Sequence, residues 1–184
     1  MRIELITEGG IKLLMNDERE WELFDQLMID VAGRGEGWLA KRLGVLMDDD
    51  EWDELIAPGL TAQFEGDLVC VRESVQTAFS EWKEQKTSEK IELKTERHPE
   101  LSLLDEEGQE FGGVLITPKT SNAWYSVLNQ ARLFLEGKWK IANLKEDEEL
   151  WDSDNFDDER ASAFYRDQLY CRLQGYLLSY VLEL

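Results

Sequence analysis

Three long segments of this chain carry hydrophobic residues at every third or fourth position, the spacing that places them on one face of an α-helix. The segments cover about residues 61–83, 117–137 and 157–182. Their apolar positions are Phe64, Leu68, Val71, Val75, Ala78 and Trp82, then Trp124, Val127, Leu128, Ala131, Phe134 and Leu135, and last Leu169, Tyr170, Leu173, Tyr176, Leu177, Tyr180 and Val181. Because such faces must be buried against other elements, the sequence predicts a helical bundle.

The N-terminal residues follow a different pattern. Residues 3–5 and 11–13 alternate apolar and polar side chains on either side of Gly9 and Gly10, which indicates two half-buried strands joined by a tight turn. A two-stranded ribbon is marginal alone, and residues 90–94 alternate in the same way, as a candidate third strand. The predicted fold class is mainly α, within α+β: a helical bundle with a small N-terminal β-hairpin and a candidate third strand.

Residues 84–113 separate the first two long helical segments and are polar and charged. They contain His98-Pro99 and three glycines, and Leu101, Leu103 and Leu104 are their candidate apolar anchors. This composition predicts a long loop or protruding excursion. No linker-like stretch divides the remainder of the chain, and 184 residues suit one core, so residues 1–184 are predicted to form a single domain.

The last helical segment, residues 157–182, is apolar over most of its circumference. A helix of this kind needs cover on several sides. Two interpretations follow: the segment is the central helix of the bundle, or part of it forms an interface with another protein or subunit. In the second interpretation, Tyr170, Tyr176 and Tyr180 are the candidate interface residues.

The charge of the chain limits its partners. Forty acidic side chains against twenty basic ones give a formal net charge of −20, which repels the backbones of nucleic acids and anionic membranes. Direct binding to a nucleic-acid backbone is therefore not expected. No apolar run reaches the roughly 18 residues that cross a bilayer, and the N-terminus lacks the pattern of a secretory signal, so we expect a cytoplasmic location and no membrane partner.

The residues that most often carry nucleophilic catalysis or zinc binding are sparse. His98 is the only histidine and lies within the predicted loop. Cys70 and Cys171 are far apart, each inside a helical pattern, so we expect buried, reduced thiols rather than a disulfide or a metal pair. From these residues, the sequence predicts no group of side chains arranged for nucleophilic catalysis.

Two acidic runs, beginning at Asp48 and Asp152, are the candidates for a calcium site, because carboxylates at alternate positions can surround this cation. Both runs place an aromatic residue, Trp52 and Phe156, at the fifth position, where a ligand is needed. The sequence therefore predicts no metal site and no cofactor, and it leans against an enzyme.

Asn129 and Arg132 lie three positions apart in the second helical segment, next to its apolar face. They form either a small polar site or a structural cluster that ties this helix to an acidic or backbone partner. We favour the structural interpretation.

A run of positions in the C-terminal third resembles the bacterial family called Domain of Unknown Function 2017. The run consists of Thr117-Pro118, Trp124, Leu128-Asn129 and Arg132-Leu133, then an acidic stretch, then Tyr170, Leu173-Gln174 and Leu177-Leu178. The N-terminal hairpin and the acidic segment before residue 61 are similar to the same family, so the resemblance covers most of the chain. It implies no established activity. Some members are encoded beside the adaptor that feeds substrates to the Clp protease, which implies a regulatory or adaptor role.

The leading hypothesis is a non-catalytic protein-binding or regulatory module that binds another protein or itself. Two alternatives remain open. The first is a hydrolase that uses carboxylates, with or without a divalent metal, in a cleft between the three long helices. The second is an acidic mimic of DNA that occupies a nucleic-acid-binding protein.

Overall fold

The computed structural model describes residues 1–6, 9–33, 35, 37–47, 51–95, 111–146 and 158–182. These residues form a helical bundle with a small sheet, which confirms the predicted mainly α, α+β fold. The strands are β1 (Arg2–Ile6), β2 (Gly10–Leu14) and β3 (Gly113–Ile116). The helices are α1 (Glu22–Ala32), α2 (Trp38–Met47), α3 (Ala57–Thr95), α4 (Ser121–Trp139), α5 (Ile141–Glu146) and α6 (Asp158–Leu177). A 3₁₀ turn (Glu18–Trp21) precedes α1, and turns of π-helix precede α3 (Trp52–Ile56) and follow α6 (Leu178–Leu182).

The sheet is antiparallel, with the strand order β1-β2-β3. Ile11 faces Ile116 and Leu13 faces Val114 in the register, and all four side chains are fully buried. The hairpin predicted from the alternation of residues 3–5 and 11–13 is therefore confirmed. The third strand is β3, however, and residues 90–94 belong to α3, because five alternating residues rich in Lys, Glu and Leu are equally good helix formers.

Helix α3 extends beyond the predicted end at residue 83. The loop predicted over residues 84–113 is therefore wrong at both ends: residues 84–95 are helical, and Gly113 begins β3. Lys, Glu and Gln favour helices intrinsically, so their charge did not indicate a loop. Residues 96–110, which include His98, lie outside the described part of the chain.

Helix α4 occupies the centre of the bundle. Trp124, Val127, Leu128, Ala131 and Leu135 are all 0% exposed, and α4 packs against α1, α3 and α6. The central position that one interpretation assigned to the last helix therefore belongs to α4. Helix α6 covers one side of α4 and keeps an outward face.

Gly112 allows the chain to enter β3 close to an aromatic cluster. Its φ is +77°, and a Cβ atom at this position would lie 2.7 Å from the Cβ atom of Trp82 and 3.2 Å from the Trp21 ring. The Gly112 carbonyl also accepts a hydrogen bond from the Met15 amide at 3.0 Å. Only glycine satisfies both the backbone angle and the contact.

We predict that Gly112→Ala lowers the free energy of unfolding by about 2 to 4 kcal/mol, because it combines a left-handed backbone with an overpacked contact. The matched control is Gly66→Ala in α3, where a Cβ atom meets nothing within 4 Å. This control should raise the free energy of unfolding by about 0.5 to 1 kcal/mol, since alanine favours the helix. Urea denaturation measures both, and effects of the same sign would contradict the argument.

Candidate functional site

Helix α6 carries polar side chains into the interior of the bundle. Asp167, Tyr170 and Gln174 follow one another at intervals of three and four, and all are at most 3% exposed. Arg166 lies beside them and is 15% exposed. Because buried polar groups are costly without partners, their contacts decide how α6 is placed.

Asp30 of α1 is the centre of one such cluster, which we call the Asp30 cluster (Asp30, Ser162, Arg166 and Tyr170). The Asp30 carboxylate accepts hydrogen bonds from Arg166 Nε at 2.8 Å, from Arg166 Nη2 at 3.3 Å and from the Tyr170 hydroxyl at 3.0 Å. Arg166 Nη1 also donates to the Ser162 hydroxyl at 2.8 Å. The charge of Asp30, which is 2% exposed, is thereby neutralised by a two-pronged guanidinium contact.

The Tyr170 hydroxyl is held in its neutral form. Burial of the ring, followed by the negative charge of Asp30, raises the pKa of Tyr170 well above its ordinary value. In this state the hydroxyl donates to Asp30 over the whole neutral pH range. Tyr170 therefore acts as a structural donor between α6 and α1.

Arg132 of α4 organises the second cluster, the Arg132 cluster (Arg132, Asp167 and Gln174). Arg132 Nε donates to Asp167 at 3.0 Å, and Nη1 donates to the Gln174 side-chain oxygen at 2.7 Å. The Gln174 amide in turn donates to the carbonyl of Tyr125 at 3.3 Å. Arg132 thus ties α4 to α6, whereas Asn129, its predicted neighbour in the site, is exposed.

Asp30, Arg166 and Asp167 were not among the predicted residues. Asp30 follows Leu27 by three positions, so it occupies a place where the helical spacing of α1 calls for an apolar side chain. A charge at a core position indicates a buried partner, and this is the signal that could have found it. Its partner, Arg166, is 136 residues away, and no local pattern pairs them.

The three predicted interface tyrosines separate in the structure. Tyr170 is 2% exposed and belongs to the interior, so it is not part of a surface. Tyr176 and Tyr180 stack on each other with ring centroids 5.9 Å apart, and Tyr180 is 44% exposed. Only these two remain accessible.

A groove of about 460 Å³ runs between α1 and α6, and we call it the α1–α6 groove. Its apolar lining comes from one residue of α1 and three of α6, and its polar lining comes from three further residues of α6. They are Leu23, Ala161, Tyr165 and Leu169, with Asp158, Ser162 and Arg166. Tyr165 is 66% exposed, so a large aromatic side chain of the groove lining remains mostly in contact with solvent.

A smaller cavity of about 320 Å³ lies where α1, α2 and α3 meet. Most of its lining is apolar, from Val31, Trp38, Leu39, Phe64 and Leu68. We name it the Trp38 cavity.

The acidic side chains and the two cysteines are the remaining groups for which the sequence made predictions. Within the described ranges, no three His, Cys, Asp or Glu side chains are grouped as metal ligands, and the acidic runs at 48–50 and 152–154 lie outside those ranges. Cys70 and Cys171 are free thiols. The prediction that both are buried is wrong, because Cys70 is half-buried and Cys171 is exposed on α6. Among the described helices, none has the length and apolar character needed to cross a membrane.

The family model described as Domain of unknown function (DUF2017) matches residues 46–181. The chain belongs to this family. The match contains α3 to α6, and hence the Arg132 cluster and the α6 side of the Asp30 cluster, while Asp30 itself precedes it. No curated protein and no solved structure matches the chain.

The Asp30 carboxylate is the first group of the site to be tested by substitution. Asp30→Ala leaves the Arg166 guanidinium without its counter-ion and removes the acceptor of Tyr170. We expect the free energy of unfolding to fall by about 3 to 5 kcal/mol. Asp25→Ala, on the exposed face of the same helix, should change it by less than about 0.5 kcal/mol. Thermal and urea denaturation of the two variants measure these changes. Similar losses of unfolding free energy in both variants would show that the Asp30 cluster contributes no more than an exposed carboxylate.

The second prediction concerns pH. Because the pKa of Tyr170 is raised in the folded state, only the unfolded state loses this proton just above the ordinary tyrosine pKa of about 10. The folded state then binds more protons, so stability is complete below about pH 10 and falls by up to about 1.4 kcal/mol per pH unit above it.

Tyr170→Phe should lower stability by about 1 to 2 kcal/mol at pH 7, where the hydrogen bond to Asp30 is lost. The same variant should show a weaker decline above pH 10 than the natural chain, because the titrating hydroxyl is absent. Urea unfolding curves at a series of pH values give the comparison. Parallel pH profiles for the two proteins would contradict the assignment.

Proposed function

We propose that this chain is a non-catalytic protein-binding module that receives a helix of a partner protein in the α1–α6 groove. The observation that carries the proposal is the position of Tyr165, which is 66% exposed at the edge of an apolar recess. An exposed aromatic beside an unfilled apolar groove is a feature that protein interfaces use as an anchor.

The spacing of the groove residues supports a helical partner. Ala161, Tyr165 and Leu169 lie at intervals of four along α6 and form one stripe, and Leu23 of α1 forms the facing wall. An apolar recess bordered by two helices can receive a third helix, which places its residues i, i+3, i+4 and i+7 against the recess. A partner helix would bury these side chains without any change in the fold.

The charges around the groove support a basic partner. Arg166, at the base of the groove, is already bonded to Asp30 and Ser162, so it is not available to attract a negatively charged partner. Asp158 is exposed in the groove lining, and the whole chain carries a formal charge of −20. Such a field accelerates association with a positively charged segment.

The family supplies a setting for the same proposal. Because some members are encoded beside the adaptor of the Clp protease, the resemblance implies a regulatory or adaptor role. We include in the proposal that the chain acts in the cytoplasm as one domain.

The test uses the full chain with the photoreactive amino acid 4-benzoylphenylalanine in place of Tyr165, expressed in the cells from which the chain comes. We expect ultraviolet light to give one dominant adduct with a second protein, whose contact peptide is basic and helical. The matched control carries the same amino acid in place of Val69 of α3, which is 48% exposed and outside the groove. This control should give no such adduct.

A second variant, Tyr165→Asp, should abolish the interaction without lowering the melting temperature, because the side chain is largely exposed. Equal adducts from both photoreactive positions, or none from position 165, would contradict the proposal. An adduct of twice the chain's mass would show that a second copy occupies the groove, which contradicts a basic partner.

A further inference from the structure

A basic pocket interrupts the acidic surface of this chain, at a place distinct from the α1–α6 groove. It has a volume of about 520 Å³ and lies between α2 and the C-terminal end of α4. Its lining consists of Trp38, Lys41, Arg42, Val45, Gly137 and Lys140. Every charged side chain among the described residues of this lining is therefore a cation.

Convergence of three cations is unexpected in a chain with twice as many acidic as basic side chains. Within the described ranges, Lys41, Arg42 and Lys140 form no ion pair. Glu136, next to Gly137, directs its carboxylate to the Ala142 amide at 2.8 Å. Like charges held together raise the free energy of the folded chain, and an anion bound among them would remove this cost.

The absence of a side chain at Gly137 leaves room for the Arg42 side chain against α4. A Cβ atom at Gly137 would lie only 2.6 Å from Arg42 Nη1. The guanidinium group thus lies directly over the backbone of α4, in the space that any other residue would occupy. A planar, forked donor of this kind matches the geometry of phosphate and carboxylate oxygens.

Lys140 shows a second unusual feature. It ends α4 with φ 55° and ψ 53°, the left-handed conformation in which glycine is the usual residue. Lys140 is the only non-glycine residue with positive φ in the described part of the chain. Such a conformation costs about 1 kcal/mol or more, and here it adds a third cation to the pocket.

Trp38 provides a fixed aromatic wall. Its indole N–H donates to the Val31 carbonyl at 3.3 Å, and its ring meets Phe134 edge to face, with centroids 6.0 Å apart. Val45, which is 83% exposed, adds apolar surface at the opening. The pocket therefore combines three cations with a flat apolar surface.

We propose that this basic pocket binds the phosphate group of a small phosphate monoester, whose aromatic or apolar body packs against Trp38. A phosphate monoester carries nearly two negative charges at pH 7, which suits three cations better than a single carboxylate does. The negative field of the remaining chain is screened beyond about 8 Å at physiological salt. Among the described residues that line the pocket, the three cations therefore dominate.

Isothermal titration calorimetry of the full chain with phenyl phosphate, inorganic phosphate and phenyl sulfate tests the proposal. We expect phenyl phosphate to bind with a dissociation constant about tenfold lower than that of inorganic phosphate, because the ring buries apolar surface against Trp38. Phenyl sulfate, which has the same ring but one negative charge, should also bind more weakly than phenyl phosphate.

Three variants locate the binding. Arg42→Gln and Lys140→Gln should each weaken phenyl phosphate binding by about tenfold or more, since each removes a charge-assisted contact. Gly137→Ala keeps the net charge but displaces the Arg42 guanidinium, and should weaken binding as well. Lys119→Gln is the matched control: it removes the same charge from an exposed lysine outside the pocket and should leave binding unchanged.

Circular dichroism verifies that each variant is folded, which is expected of the charge substitutions because Arg42, Lys119 and Lys140 are exposed. The proposal is overturned if phenyl phosphate shows no saturable binding at millimolar concentrations, or if Lys119→Gln weakens it as much as Arg42→Gln. Equal affinity for the two phosphates would contradict a monoester and assign the pocket to free phosphate.

Discussion

The burial of helix α4 is the constraint on which the rest of the structure depends. Trp124, Val127, Leu128, Ala131 and Leu135 are completely removed from water, and each of the larger side chains among them contributes about 1.5 to 3 kcal/mol. Their sum is comparable to the whole net stability of a domain, about 5 to 15 kcal/mol. Helices α1, α3 and α6 must therefore surround α4, while β2 and β3 add their buried face to the same core.

Apolar burial has no direction, so it does not by itself determine how α6 is rotated about its own axis. The Asp30 cluster and the Arg132 cluster determine this rotation. Arg132 of α4 meets Asp167 and Gln174, while Asp30 of α1 meets Arg166 and Tyr170. A rotation of α6 that broke either set would leave a buried charge unpaired. The orientation of α6 that keeps both clusters intact places Tyr165 on the outside of the bundle. The interior contacts of α6 therefore create the α1–α6 groove.

Much of the fold could be predicted from local pattern. Helical spacing identified α3, α4 and α6, and alternation identified the hairpin, because both periods are properties of the backbone alone. The same reasoning failed over residues 84–95, where charged residues favour helices intrinsically and a short alternation at 90–94 is compatible with either a strand or a helix. In the second helical segment, sequence spacing pointed to Arg132 as a structural residue. It did not point to Asp167, the partner of Arg132, because the two residues are 35 positions apart.

The sequence by itself determined the class of fold, the membership of hydrophobic faces and the strongly negative charge, since these depend on composition and on neighbours within a few positions. Only the tertiary structure decided which charges pair, that Tyr170 lies inside while Tyr180 lies outside, and that Lys41, Arg42 and Lys140 share one pocket. The physical reason is that contacts between side chains far apart in sequence follow from how α4 is enclosed. That enclosure is a cooperative result of the whole core, and no single segment encodes it.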